Sequence, residues 1–343
     1  YPPALERYSE RSSAVVDADG HILRAFTAKN GVWRFAADPG EGDPTYLEML
    51  TLYEDKRFFR HPGVDPLAIA RAAFQWASTG RPVSGASTLT MQVVRLLEPR
   101  PRTLASKVIE VARALQLEWR FSKREILSIY LTIAPFGGNL EGIKAAVRFY
   151  LGKEPKRLTP GEAALLVVLP QSPEKYRPDR YPEAARAARD KVLARTKMSG
   201  YLSARAIRAA REEPVPHARN AAPMLAPHLA RRLDREAPKT DVHRTFVDAG
   251  LQKSLQALAT RFAGRFEAGA NLAVLVIENE TRKVRSYVGS AEFLDTARNG
   301  QVDMVRAVRS PGSTLKPFIF AAAIDAFAIH PETGEMVVIE MNP

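Results

Sequence analysis

A helical periodicity of apolar residues runs from Asp43 to about Glu213 and dominates the pattern of this chain. Clusters of Gly and Pro interrupt it at residues 80–82, 99–101, 135–138 and 170–178. Because such clusters end helices, the pattern predicts several helices joined by turns. Alternating apolar and polar residues occur on either side of this region, at 11–36 and 271–290, and each alternation predicts a β-hairpin. The chain is therefore expected to be mainly α, with flanking β-hairpins.

The bulk composition limits the class of protein. The chain has 343 residues, of which 45% are apolar, so it is long enough for two domains and too apolar for a disordered protein. It contains no cysteine, which excludes disulfides and thiolate metal sites. Its formal net charge of +12 favours anionic partners such as phosphates or lipid head groups. Nucleic acid is not an expected partner, because no basic cluster with interleaved aromatic residues forms a known nucleic-acid motif.

Many of the basic residues lie in one polar, alanine-rich stretch. They are Arg186, Arg189, Lys191, Arg195, Lys197, Arg205, Arg208 and Arg211. The favoured interpretation is a solvated helix face, and a binding patch is the alternative.

The sequence also bears on contact with a membrane. No uninterrupted apolar run reaches the length of a membrane span, and no signal peptide is present. The chain begins at Tyr1 without an initiator methionine, so we expect it to be a fragment. The segment Pro66–Trp76 mixes apolar and basic side chains. It is expected either to rest on lipid at the interface or to face the protein core.

The segment Tyr53–Asp65, YEDKRFFRHPGVD, is the strongest candidate for a functional site. Ahead of Gly63 it combines two carboxylates, three basic side chains, aromatic rings and a histidine. These groups are costly to bury, so a site explains them better than a core does. Further blocks follow downstream: SGASTLTMQ at 84–92, KVIE at 107–110 and KREILSIYLTIAPFGGNLEGIKAA at 123–146.

In that order these blocks resemble the family 51 glycosyltransferases, the domain that polymerises peptidoglycan in class A penicillin-binding proteins. STLTMQ, with PRPRT after it, looks most like the 1C type of that class. The resemblance covers residues 1 to about 326 and is strongest over 50–180. It implies a lysozyme-like glycosyltransferase lobe. It also implies a reaction in which the acceptor sugar's 4-hydroxyl attacks the anomeric carbon of a lipid-linked glycan, with inversion and release of undecaprenyl pyrophosphate.

Two carboxylates carry over from the family as the catalytic pair. Glu54 falls on the glutamate that acts as the base and takes the proton of the attacking hydroxyl. Glu110 falls on the second family glutamate, one helical turn from Lys107. Taken alone, Glu54-Asp55 would be a surface acid pair and the KxxE spacing an ordinary salt bridge. The surrounding blocks favour the catalytic interpretation.

The same resemblance implies the residues that bind substrate. They are Asp55, Phe58, His61, Ser87, Thr88, Gln92, Arg95 and Lys107. Lys107, Arg95 and Arg102 are the candidate cations for the departing pyrophosphate. Glu110 is expected either to orient those cations or to hold a divalent cation, Mg²⁺ or Mn²⁺, against the phosphates.

The chain departs from the family pattern at two positions. Ala86 stands where the family has a second glycine, and Thr132 stands where it has an asparagine. The change at Ala86 is mild. The change at Thr132 loses an amide that could donate and accept at once, which argues against full activity.

The segment SPGSTLKP at 310–317 resembles the start of the penicillin-sensitive transpeptidase domain of the same class. Ser313 and Lys316 form an S-x-x-K motif, which would place a serine nucleophile beside an activating amine on one helical face. That site also needs an S-x-N element and a K-T-G strand, and neither occurs in this sequence. We therefore expect an incomplete α/β transpeptidase (serine-penicillin-recognising) fragment that neither cross-links peptides nor binds penicillin stably.

From about Phe327 the sequence no longer resembles the transpeptidase. Residues 327–343 look like a fragment of the large subunit of carbamoyl-phosphate synthetase, in which Glu340 and Asn342 would match metal-binding positions of an ATP-grasp domain. A tail of this length cannot build an ATP site. A fusion, a junction or an engineered end is the expected explanation.

The expected domain order is a β segment after a missing membrane anchor (1–40), the glycosyltransferase domain (41–213), a linker (214–265), the start of the transpeptidase domain (266–326) and the tail (327–343). The expected function is glycan-chain synthesis at the outer, periplasmic face of a bacterial cytoplasmic membrane. Its expected partners are lipid II, the nascent strand, the membrane surface and other cell-wall synthesis proteins. The alternatives are a lysozyme-like glycan-cleaving enzyme and a non-catalytic glycan- or membrane-binding remnant.

Overall fold

The computed structural model describes residues 3–79, 87–101, 103–267, 269–308 and 310–327. In chain order, its helices α1–α13 are Glu6–Ser9, Pro44–Glu54, Pro66–Thr79, Leu89–Leu97, Leu104–Arg120, Lys123–Ile133, Ile143–Ala146, Pro160–Val168, Pro182–Ser199, Ala204–Glu212, Pro227–Glu236, Ala249–Ala263 and Lys316–Phe327. Its strands β1–β8 are Ser13–Val16, Ile22–Phe26, Trp33–Arg34, Pro135–Gly137, Leu140–Glu141, Val242–Arg244, Val274–Ile277 and Val284–Val288. The predicted mainly α architecture with flanking hairpins is confirmed.

Helix α8 lies at the centre of the helical lobe. Its residues 163–168 are all buried, and it packs against α2, α9 and α10. Thr159 and Glu162 form a capping box at its start, with Pro160 at the first helical position. A helix that is apolar on all sides is stable only when other helices surround it, so its composition places it in the core.

The first predicted hairpin is confirmed, and it belongs to a larger sheet. Strand β1 pairs antiparallel with β2 and parallel with β6, which comes from much later in the chain. The sheet order is therefore β2-β1-β6. An ion pair between Arg11 and Asp241, 2.7 Å long, reinforces the same connection. Residues near the N-terminus thus share one sheet with residues that follow the helical lobe.

The second predicted hairpin, β7 with β8, is also confirmed. Tyr287 of β8 is buried in a second core with Val15 and Leu23 of the first sheet and Leu229 of α11. Gln252 of α12 is buried as well, and its side chain donates to the carbonyl of Tyr287 at 3.0 Å. Strand β8 is therefore anchored on two sides by the rest of the protein.

A buried arginine fastens the N-terminal segment to the lobe. Arg34 has no exposed surface, and its Nε donates to Glu141 at 2.7 Å. Its Nη1 donates to the carbonyls of Arg7 and Glu10. The Arg7 side chain binds the other oxygen of Glu141 at 2.8 Å. The parallel pairing of β3 with β5 brings Arg34 and Glu141 side by side.

The prediction of a solvated basic face is wrong for one residue, Arg189. Most of the other basic side chains on α9 and α10 are exposed, but Arg189 is 1% exposed. Its guanidinium donates to the carbonyls of Glu213 at 2.7 Å and Arg211 at 2.8 Å, and to the Asp190 side chain. The last carbonyls of a helix have no partner within it, and Arg189 satisfies them at the end of α10.

Several features singled out in the sequence lie outside the described residues. They are Arg102, the loop residues 84–86 and the tail positions Glu340 and Asn342. Among the helices of the described part of the chain, none has the length and apolar character needed to cross a membrane.

Candidate active site

Glu54 is the last residue of α2, and both of its carboxylate oxygens accept hydrogen bonds from amides. Gln92 Nε2 donates to Oε2 at 2.8 Å, and Gln171 Nε2 donates to Oε1 at 2.6 Å. The start of α2 is set by Asp43, whose side chain caps the first turn, and by a proline at the first helical position. Glu54 is half-buried, and each of its oxygens keeps a lone pair for a further donor. It is therefore an oriented acceptor that a ligand can reach.

Two buried tyrosines lie near Glu54. Tyr46 on α2 and Tyr130 on α6 are each 1% exposed. Burial, followed by the negative charge of Glu54, raises the pKa of both phenols. Both rings therefore stay neutral and add no competing negative charge beside the carboxylate.

Asp55 and His61 are buried and bound to each other. His61 Nε2 lies 3.0 Å from both Asp55 oxygens, and its Nδ1 accepts from the Gly63 backbone at 3.1 Å. Because Nδ1 accepts, this hydrogen bonding assigns the ring proton to Nε2, which donates to Asp55. Asp55 Oδ2 also accepts from the backbone of Leu89, the first residue of α4. The pair thus fastens the end of α2 to the start of α4.

Thr88 and Gly63 also join the loop after α2, residues 55–65, to the start of α4. Thr88 Oγ1 donates to the Gly63 carbonyl at 2.6 Å and accepts from the Met91 backbone, which caps α4. Gly63 has φ +92°, and a Cβ there would lie 2.8 Å from the carbonyl oxygen of Ala114 on α5. Only glycine permits this backbone and this close approach. Phe58 in the same loop is 1% exposed and belongs to the main core.

The second predicted carboxylate lies close to the start of α4. Lys107 Nζ donates to Ser87 Oγ at 2.6 Å and to Glu110 Oε2 at 3.0 Å. Glu110 is buried, whereas the Lys107 side chain is 38% exposed. Ser87 directly precedes the cap of α4, and Gln92 on that helix reaches Glu54. Helix α4 therefore connects the surroundings of the two carboxylates.

Arg95 lies on α4, one turn after Gln92, and its side chain is exposed. Its charge is near enough to Tyr130 to act against the rise in that phenol's pKa. Arg95 thus places a positive charge on the helix that connects Glu54 with Lys107.

The described residues fit a divalent cation poorly at this site. Glu110 is the carboxylate beside Lys107, and an ammonium already lies 3.0 Å from its oxygen. Magnesium is usually held by one or two carboxylates together with substrate phosphates, and a fixed ammonium repels it. In the described part of the chain, a group of three ligands close enough for one ion occurs elsewhere, at Asp17, Asp19 and His21 in the first hairpin turn.

Thr132 is a structural residue in this fold. Its side chain is fully buried on α6. The hydroxyl donates to the Ser128 carbonyl at 2.8 Å and accepts from the Ala37 backbone at 3.1 Å. The hydroxyl thus both donates and accepts, as the family's amide could, and it joins α6 to the segment that follows β3.

The S-x-x-K motif lies at the start of α13. Ser313 is in the short 3-10 turn 312–315, and Lys316 begins the helix. Both side chains are exposed. The two side chains therefore do not form a desolvated serine–amine site in the described structure.

The sequence did not predict Gln171. It lies 117 positions away from Glu54, in a segment whose sequence predicts only a turn after a core helix. No local pattern distinguishes it from any other polar turn residue. The Tyr53 side chain interacts with the same amide, and the Arg195 guanidinium lies 5.0 Å from the centre of the Tyr53 ring.

Comparison with known proteins agrees with the resemblance to class A penicillin-binding proteins. Penicillin-binding protein 1C of Escherichia coli K12 is 49% identical over 317 residues, which are 92% of this chain and 41% of that protein. Penicillin-binding protein 1F of Bacillus subtilis is 29% identical over 89% of this chain and 44% of its own length. Penicillin-binding protein 1A of Aquifex aeolicus is 35% identical over 59% of this chain and 28% of its own. The chain thus spans less than half the length of these curated relatives, and its resemblance to the 1C type is confirmed.

Two family models match separate parts of the chain. The one described as penicillin binding protein transpeptidase domain matches residues 272–336. The expectation that the resemblance to the transpeptidase ends at about Phe327 is therefore wrong for residues 327–336. The one described as transglycosylase matches residues 19–197. That match covers more than half of the chain and includes Glu54, Gln92, Lys107 and Glu110. The chain therefore belongs to the transglycosylase family.

Proposed function

We propose that this chain is a peptidoglycan glycosyltransferase that polymerises lipid II into β-1,4 glycan strands. The observation that carries the proposal is the placement of Glu54 and of the Lys107–Glu110 pair beside one helix, α4. A carboxylate held by neutral amides suits proton abstraction, and fixed cations suit an anionic leaving group. Membership of the transglycosylase family supports the same reaction.

The reaction we propose uses Glu54 as the base. The acceptor's 4-hydroxyl donates to a Glu54 oxygen and transfers its proton there as its own oxygen attacks the anomeric carbon of the donor. The new glycosidic bond forms while the bond to undecaprenyl pyrophosphate breaks, and the configuration inverts. The bonding electron pair leaves with the pyrophosphate, whose charge Lys107 and Arg95 offset. Glu54 then returns its proton to solvent.

The remaining predicted residues have different roles in this proposal. The polar side-chain atoms of Asp55, His61 and Thr88 form hydrogen bonds within the protein. These residues therefore hold the loop after α2 and the start of α4 in place. Ser87 positions the Lys107 ammonium. Glu110 orients the same ammonium, which is the first of the two roles that the sequence allowed. No step is assigned to a divalent cation, because the described donors do not fit one held by the protein.

Incubation of the chain with lipid II in detergent tests the proposal and its rivals. Glycan strands that a muramidase digests would support the transferase. Lipid II that binds but stays intact would favour the non-catalytic remnant. Cleavage of preformed strands without any polymerisation would favour the lysozyme-like enzyme.

Replacing Lys107 by methionine is expected to lower the polymerisation rate by about 10- to 100-fold, the effect of losing one charge-assisted hydrogen bond to the leaving group. The matched control is Lys144→Met, which removes a lysine that pairs with Glu41 at 2.6 Å on another surface of the lobe. The activity of both variants is measured as the initial rate of undecaprenyl pyrophosphate release. Equal rates for Lys107→Met and the control would remove Lys107 from the leaving-group site.

We also propose that the lobe rests on a membrane surface beside this site, at the outer face of the cytoplasmic membrane. Leu67 and Phe74 on α3 are 65% and 75% exposed, so much of the apolar side of this helix does not face the core. Val108 and Trp119 on α5 are 69% and 93% exposed. Apolar side chains on a basic protein suit the lipid interface, where the substrate's own lipid chain lies. Phe74→Asp is expected to weaken sedimentation with anionic vesicles, and unchanged sedimentation would exclude this face.

For the C-terminal part we propose that the residues from about 266 onward belong to a transpeptidase domain in which Ser313 and Lys316 form the S-x-x-K motif. Both side chains are exposed, so neither is held in a desolvated site. We expect no stable labelling of the chain by a fluorescent penicillin. A labelled band that the Ser313→Ala variant lacks would overturn this expectation.

A further inference from the structure

Gln171 binds the oxygen of Glu54 that Gln92 does not reach. Its Nε2 lies 2.6 Å from Oε1, and Gln92 Nε2 lies 2.8 Å from Oε2. Together the two amides determine the plane and the direction of the carboxylate. We infer that Gln171 is a positioning residue for the base Glu54, an inference that rests on the proposed transferase function.

The backbone around Gln171 is well placed to support such a role. Residues Leu169–Gln171 form a 3-10 turn that continues directly from α8, the central helix of the core. Leu169 is fully buried, and Pro170 restricts the backbone just before Gln171. Helix α8 packs against α2, which carries Glu54 at its end. The base and its second amide are thus held by two helices in direct contact.

The chemistry of the two donors explains why amides occupy these places. A carboxylate that accepts one hydrogen bond on each oxygen keeps a lone pair on each for the acceptor hydroxyl. A cation at either place would favour the ionised carboxylate and make it a weaker base. A neutral amide orients the group with a smaller loss of basicity. Gln171 and Gln92 therefore direct the carboxylate without a neighbouring charge of their own.

Other ionisable groups also lie near Glu54, and substitutions at Gln171 leave these residues unchanged. Tyr46, Tyr53 and Tyr130 have a raised pKa, mainly through burial and then through the charge of Glu54. The nearby cations are Arg95 on α4 and Arg195 on α9. Because none of them is changed in the variants, a shift in pH dependence reports on position 171.

The experiment measures the pH dependence of lipid II polymerisation by the full chain with three substitutions at Gln171. Gln171→Glu places a second carboxylate beside the base, which disfavours its ionised form, so the acid limb of the pH–rate profile is expected to move up by about one pH unit. Gln171→Lys places a cation there, and the acid limb is expected to move down. Gln171→Met removes the donor at similar size and is expected to lower kcat about 10-fold with little change in KM.

The control is Gln301→Met, which removes an exposed glutamine bound to Arg231 far along the chain. Because Gln171 is also exposed, its variants are expected to keep the thermal stability of the parent, and melting curves check this. A purely structural residue would not move the acid limb in opposite directions with opposite charge. Coinciding acid limbs in Gln171→Glu and Gln171→Lys would overturn the inference. A parent chain that makes no polymer at all would overturn the proposed function itself, which is a different outcome.

Discussion

Replacing Glu54 by glutamine is expected to lower the rate of lipid II polymerisation by about 10²- to 10⁴-fold, the contribution that a positioned general base makes. Glutamine has nearly the same shape as glutamate, but its amide cannot take a proton from a hydroxyl at neutral pH. Its NH₂ group would also face one of the two amide donors that now bind the carboxylate. The variant therefore loses the base and disturbs the hydrogen bonds that orient it.

The comparison of kcat with KM decides what Glu54 does. If Glu54 acts only while the proton moves, kcat falls and the KM for lipid II stays within a small factor. The matched control is Glu41→Gln, which alters an exposed carboxylate paired with Lys144 away from the site. We expect the control to polymerise at the parental rate. A Glu54→Gln variant that keeps full kcat, or that loses activity only through KM, would contradict the assignment of the base.

Replacing Arg34 by methionine is expected to lower the free energy of unfolding by about 3–5 kcal/mol, the usual effect of removing one partner from a buried ion pair. Arg34 is fully buried and binds Glu141 together with two backbone carbonyls. Methionine fills a similar volume but satisfies none of these acceptors. The loss falls where the N-terminal segment joins the lobe, so that junction is expected to open first.

The control for Arg34→Met is Arg7→Met, because Arg7 binds the same carboxylate, that of Glu141. Arg7 binds the other oxygen of Glu141, and its side chain is 29% exposed. Water can reach the partly exposed Arg7 side chain and replace part of its hydrogen bonding, so Arg7→Met is expected to lower the free energy of unfolding by only about 1 kcal/mol or less. Denaturation curves of both variants measure the difference. Equal losses would show that burial of Arg34 does not set the strength of this junction.

Much of the secondary structure could be predicted because its signals are local. Helix α2 begins at a proline directly after its cap Asp43, and α8 begins at a capping box with a proline. Each of these signals acts within one helical turn, so the sequence alone contains it. The same holds for the hairpins β1-β2 and β7-β8, whose strands are neighbours in the chain. Motif order likewise led to the catalytic pair Glu54 and Glu110, whose assigned roles remain predictions.

The contacts between distant parts of the chain could not be predicted and became known only from the tertiary structure. Arg189 has the pattern of a surface residue, yet it is buried at the end of another helix. Strand β6 lies in the segment expected to be a linker, and its parallel pairing with β1 could not be predicted. In both cases the contact joins parts of the chain that are distant in sequence, and no local propensity encodes it.

The candidate base illustrates both sources of information. Its identity as Glu54 follows from neighbouring residues in a single motif, because that motif is continuous in the chain. Its orientation depends on Gln171, which meets it across 117 positions because α2 and α8 pack together in the core. Such a contact exists only once hydrophobic burial has brought the two helices side by side. The local sequence therefore decided which group carries the chemistry, and the packing of the core decided how that group is held.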